Sequence, residues 1–269
     1  MNISPSEHIT GSIQEARRAS TYYFCLVARN RNRLFDRKAW KTDETNPTPS
    51  CIKKYDLTNS TVFFEFGGGE RRRKYSLELE KRKDEATFRN DANGNVYEIF
   101  VQQPYKKLHV EGSIVLDIGS ASGDTAIYFH ARGAKKILMF DISKEKNALA
   151  KKTLKVNRIG NAEVMGSGLG DGLTIDTIMA GIPSSERIVM KSDTEGYEYK
   201  MFAEASIDAL QRLDEIVIEY HYGYKDIEKK LREAGFKVEH TKPRISNKMR
   251  FGILYAKRAQ RTSAQNINT

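Results

Sequence analysis

The stretch VLDIGSASGDTAIYF, Val115 to Phe129, puts two acids and two glycines where an apolar run stops and another begins. A strand ending in such a turn leaves backbone N–H groups bare at a helix N-terminus, where a polar or anionic group can sit. Gly119 and Gly123 are separated by three residues and follow Asp117, which departs from the GxGxxG spacing of dinucleotide sites. An acid at the strand tip repels a pyrophosphate but attracts the ammonium of an amino-acid group. A second acid, Asp141, closes the next apolar run, ILMFD, close to the usual distance for a carboxylate that grips ribose hydroxyls. Together these residues suit a zwitterionic nucleoside better than a diphosphate.

A second set follows two later strand-like runs, in KSDTEGYEYKMF and EYHYGY. Asp193, Glu195, Glu219 and His221 offer three carboxylates and an imidazole around one cleft. His221 is the first choice for a general base, its ordinary pKa being nearest neutrality, with Asp193 and Glu195 beside it. The competing reading is structural, with Glu195 capping the following helix and His221 a satisfied loop residue. Carboxylates alone are weak grounds for a divalent ion, and no metal is expected. The glycine run 166–172 lacks the P-loop lysine.

These loops need a scaffold, and the rhythm from Gly112 onward supplies one. Strand and helix alternate through SIVLDIG, TAIYFHARG, AKKILMFDI, SKEKNALAKKTLKVNRIG, NAEVMGS, TIDTIMAG, RIVMKSD, EYKMFAEASIDALQRL, LDEIVIEYH and YKDIEKKLREAG, closing on FKVEH and FGILYAKR. Alternation of this kind predicts an α/β fold, a doubly wound, mostly parallel seven-stranded Rossmann-like sheet with its functional loops at the carboxyl ends of the strands. Before it, an N-terminal extension over 1–110 reads as a helix from about Ser12 to Trp40 and two β-hairpins, TVFFEFGGGERRRKYSLELE and ATFRNDANGNVYEIFV. The main domain is expected over 111–258 and a polar tail over 259–269.

From Ser113 to Lys257 the sequence resembles the class I S-adenosylmethionine-dependent methyltransferases, and within them the FkbM family. VLDIGSASGDTAIYFHARGAKKILMFDI, TIDTIM, VMKSDTEGYEYKMF and IVIEYHYGYKDIEKKLREAGFKV are similar to that family's successive blocks. The resemblance implies S-adenosyl-L-methionine as cofactor and, most often, a hydroxyl oxygen as methyl acceptor. It implies contacts with the methionine part of the cofactor from Asp117, Gly119, Ser120, Gly123 and Asp124, and with the ribose from Asp141. The family often has proline after that acid, where this chain has Ile142 and Ser143; Asp171 is the acid nearest the expected adenine pocket.

Composition narrows the setting. The chain carries 45 Lys and Arg against 35 Asp and Glu, a formal charge of +10, with the excess densest before residue 110. A basic front suits RNA, and an RNA methyltransferase is the alternative to a small-molecule or carbohydrate-like acceptor. Against it, SDTEGYE replaces the Asn/Asp-Pro-Pro-aromatic block of base-methylating enzymes. Two cysteines without a CxxC pair predict a reducing, cytoplasmic setting, and the apolar run Tyr22–Ala28 is too short to span a bilayer.

Overall fold

The computed structural model describes residues 50–67, 72–170, 173–246 and 249–258 of the 269-residue chain. The expected helix at 12–40, the tail and Asp171 lie outside them.

Three strands open the described chain: β1 (Ile52–Asp56), β2 (Thr61–Phe66) and β3 (Arg73–Glu78), antiparallel in that order. The first expected hairpin is the β2–β3 pair, with Phe64 opposite Tyr75. The second does not form. ATFRNDANGNVYEIFV instead lies on helix α1 (Glu85–Val96) and a π-helical turn, Tyr97–Gln102. Asp84 starts α1 by accepting a hydrogen bond from the Thr87 amide at 2.8 Å. Phe88, Ala92, Val96 and Phe100, four residues apart, are all buried, and this stripe outweighs the Asn93-Gly94 pair read as a turn.

The main sheet has eight strands. β4 (Ile114–Ile118) is central, parallel to β5 (Lys136–Phe140) and β7 (Ile188–Ser192). β6 (Ala162–Val164) extends one side and β8 (Glu215–Tyr220) the other, both parallel. β11 (Met249–Arg258) runs antiparallel to β8. Seven strand positions were expected. The last is shared, because β9 (Phe236–His240) and β10 (Arg244–Ser246) pair with successive halves of β11.

Alternation along the strands builds two cores. Val115, Met139, Val189 and Val217 face α1, α2 (Asp124–Ala131), α3 (Lys144–Val156) and the three-stranded layer. Leu116, Leu138, Met190 and Ile216 face α4 (Ile175–Ala180), α5 (Glu198–Glu204), α6 (Ile207–Leu210) and α7 (Lys225–Glu233). Burial on both faces is why these strands read as continuous apolar runs. EYKMFAEASIDALQRL is two helices rather than the single one expected, because Ser206 caps α6 by accepting from the Ala209 amide. The three-stranded layer is bolted to α3: Asn157 accepts from the Ser76 amide at 2.8 Å and donates to its carbonyl at 2.6 Å.

Candidate cofactor and acceptor site

The parallel strands end together, so the loops after β4, β5, β7 and β8 share one edge. After β4 the backbone folds back through Gly119, whose φ is +75°. A Cβ on Gly119 would lie 1.8 Å from the Asp193 carbonyl oxygen, so only glycine fits where the turn presses on the end of β7. The amides of Gly119 and Ser120 both donate to the Phe140 carbonyl, at 2.8 and 3.1 Å. Gly123, at φ +90°, then starts α2.

Asp141 ties this turn to β5. Its Oδ2 accepts from the Ala121 amide at 3.0 Å and its Oδ1 from the Ser143 amide at 2.8 Å. Each oxygen keeps a lone pair for a hydroxyl. Ile142 is 75% exposed beside it, an apolar surface at the strand tip. Asp124 is buried at the start of α2, and that burial raises its pKa to about 6.

Asp117 is fully buried. Oδ2 accepts from the Thr125 hydroxyl, and Oδ1 lies 3.2 Å from the ammonium of Lys191, a side chain only 2% exposed on the neighbouring strand. At the strand tip, Asp117 is thus paired with a lysine of the protein.

After β7 and β8 the expected cluster does assemble. His221 Nε2 lies 3.4 Å from Glu195 Oε2 and 3.9 Å from Asp193 Oδ1. Its organiser is Glu198, which the sequence reading left out. Glu198 is fully buried: Oε1 accepts from the His221 amide at 3.1 Å and pairs with His221 Nδ1 at 2.9 Å. Oε2 accepts from the Gly196 amide and the Thr194 hydroxyl, at 2.8 and 2.9 Å. Glu198 thus closes the loop around the helix start, the work assigned to Glu195, and Glu195 stands out with a φ of +54°. An acid four residues beyond Thr194, in the first turn of a helix, was the available signal.

Charge fixes the state of the imidazole. Burial pushes the His221 pKa down, but the hydrogen bond and charge of Glu198, with Asp193 and Glu219, outweigh it and carry the pKa up to about 10. Glu198 responds in kind: burial raises its pKa, and His221 brings it below the ordinary value. The shift favours the imidazolium over the neutral ring that the expected role as general base requires. Asp193, Glu195 and His221 also place one ligand atom each within 4.8 Å of one another, a grouping that could hold a metal ion.

Tyr222, about half exposed, flanks the cluster, with Tyr199 donating to the Gly223 carbonyl at 2.7 Å. A cavity of about 700 Å³ is elsewhere. It lies at the opposite end of β4, among Phe66, Phe100, His109, Glu111 and Arg132, away from every residue of this cluster.

No family model matches the sequence, and no curated protein matches it. Solved structures do. Magnesium protoporphyrin IX methyltransferase from Synechocystis, with bound S-adenosylmethionine, is 17% identical over 66% of this chain and 86% of its own, at a TM-score of 0.45. An rRNA methylase from Streptococcus thermophilus is 19% identical over 64% and 96%, at 0.42. A ribosomal protein L11 methylase from Lactobacillus delbrueckii subsp. bulgaricus is 19% identical over 59% and 77%, at 0.39. Their acceptors are a porphyrin, an RNA and a protein. Among the described residues of this chain, no helix is long and apolar enough to cross a membrane.

Proposed function

We propose that this chain is an S-adenosylmethionine-dependent methyltransferase acting on a hydroxyl oxygen of a small-molecule or carbohydrate-like acceptor. The observation that carries this reading is the direct contact between the two loops, in which Gly119 of the turn abuts the backbone of Asp193. A donor seated on the turn lies next to carboxylates able to receive a proton. The resemblance to the FkbM family supports oxygen as the acceptor atom.

The residues present fit the cofactor. Asp141 holds the turn and retains capacity for the ribose hydroxyls, while Ile142 and the partly exposed Met165 offer apolar surface for adenine. Ser120 Oγ and Asn147 Oδ1, buried close to the turn, have no hydrogen-bond partner among the described residues, as expected where a polar ligand completes the set. Bound there, S-adenosylmethionine supplies an electrophilic methyl group on a positively charged sulfur. With that donor bound, Asp193 would accept the proton that the acceptor hydroxyl releases as its oxygen bonds to the methyl carbon and the carbon–sulfur bond breaks, its electron pair returning to sulfur to leave S-adenosylhomocysteine. The His221 imidazolium holds Glu195 and Glu198 in register, and Tyr222 offers a ring face on which a sugar can stack.

Incubating the protein with methyl-labelled donor and fractionated host extract tests the reading. Label in a nuclease-resistant, polar small-molecule or glycan fraction supports it. Label in RNA favours the alternative that the net charge of +10 suggests, with the expected loss of binding as salt rises.

A further inference from the structure

Lys191 is the most deeply buried cation described here, and the proton-transfer chemistry above makes no use of it. It sits on β7 directly opposite Asp117 of β4. Its ammonium donates to the Ile118 carbonyl at 3.2 Å and the Gly119 carbonyl at 2.6 Å and forms an ion pair with Asp117 Oδ1 at 3.2 Å. The Tyr105 ring, also buried, lies 5.8 Å from it. The two carbonyls flank the bend at which β4 becomes the glycine turn. The Ile118 carbonyl also accepts from the Asp193 amide, so it is the Gly119 carbonyl, held at 2.6 Å, that would lose a short charged bond without the ammonium.

We infer that Lys191 is a positioning residue that sets the shape of the cofactor turn, with Asp117 serving as its counter-ion and not as a ligand of the cofactor. The inference rests on the reading of this turn as the S-adenosylmethionine site. Burial alone lowers the pKa of a lysine, but Asp117, Asp193 and Asp124 outweigh it, so the ammonium stays charged while clamping the turn. The clamp also joins the two halves of the site, because Asp193 follows two residues after Lys191, just past the end of β7, and its amide donates to the Ile118 carbonyl at 3.0 Å.

Two ligands separate the roles of Asp117. S-adenosylhomocysteine carries the amino-acid ammonium; 5′-methylthioadenosine shares the nucleoside and thioether and lacks it. Calorimetry on wild type, Asp117→Asn, Lys191→Met and the double variant, paired with thermal melts, makes the comparison. Each single variant leaves a buried group without its partner and should melt well below wild type, whereas the double variant removes both and should recover most of the loss. Affinity should not recover. The double variant, still lacking the ammonium's bond to the Gly119 carbonyl, should bind both ligands at least tenfold more weakly than wild type, and by the same factor for each. Wild-type affinity in the double variant would reduce Lys191 to a charge partner and overturn the inference. So would an Asp117→Asn loss confined to S-adenosylhomocysteine, which would return Asp117 to the ammonium. Failure of wild type to bind either ligand would instead refute the cofactor reading.

Discussion

The turn after β4 and the loops after β7 and β8 lie against each other yet are built on opposite principles. In the turn, the charged groups are spent internally. Asp117 is matched to Lys191 and Asp141 to two backbone amides, and glycine is required at 119 because no side chain fits. In the loops, Glu198 is buried and matched to His221, while Glu195 and Asp193 stay partly exposed beside it. The first region spends polar groups on shaping a turn, and the second leaves two carboxylates partly exposed beside an imidazole. The residue types are similar, so burial and partner decide the role.

The largest effect should come from breaking the turn. Gly119→Val places a side chain on the Asp193 carbonyl at a φ that L-residues avoid, at about 1–2 kcal/mol for the backbone and about 1–3 kcal/mol more for the overlap. Denaturant unfolding should show a loss of that combined size, and cofactor binding should vanish from calorimetric titrations. A variant with wild-type stability would mean that the turn yields easily.

Next in size, Asp193→Asn should leave the turn and cofactor affinity within a few-fold of wild type while lowering turnover by roughly 10²–10⁴-fold, the usual worth of a positioned proton acceptor. Steady-state kinetics beside a binding titration separates the two. Equal losses in both would merge the regions that the comparison divides.

The His221–Glu198 pair gives a third test, through pH. The His221 pKa is raised from 6.5 to about 10, so its contribution is complete below about pH 6.5 and disappears as pH climbs through about 10. Glu198 is lowered, so its contribution is present above about pH 4.5 and is lost as pH falls further. The melting temperature of wild type minus that of His221→Gln should therefore be greatest between about pH 5 and 8 and shrink toward both extremes. Turnover should show no rise attributable to an imidazole near pH 6.5. Such a rise, absent from the variant, would restore His221 as the base.

The smallest effect belongs to Asp141. Asp141→Asn keeps one acceptor oxygen and gives up a charge-assisted bond, so affinity should fall about fivefold to tenfold, with Asp141→Ala lower again. If Asn and Ala bind equally poorly, the carboxylate serves the turn alone.

Much of this was legible in the sequence where the signal is local. The acid-glycine spacing and the apolar runs placed β4, β5 and β7 and the turn between Gly119 and Gly123, because strand burial and positive φ leave marks within a few residues. Partners distant in sequence leave no such mark. Nothing near Asp117 announces that its counter-ion stands 74 positions later on the adjacent strand, or that the Glu198 carboxylate pairs with the His221 ring and favours its charged form. α1 was missed for another reason, a conflict of signals: Asn93-Gly94 is a strong turn pair, and the four-residue stripe from Phe88 to Phe100 that overrides it acts only once the three-stranded layer is there to pack against.

Titration of the full chain with S-adenosylhomocysteine, with NAD as the control, bears most directly on the central claim that the turn after β4 is a nucleoside–amino-acid site. One ligand per chain with micromolar or tighter affinity, no heat from NAD, and loss of the signal in Gly119→Val is the expected result. Binding of NAD, or S-adenosylhomocysteine binding that Gly119→Val leaves intact while the protein stays folded, would contradict it.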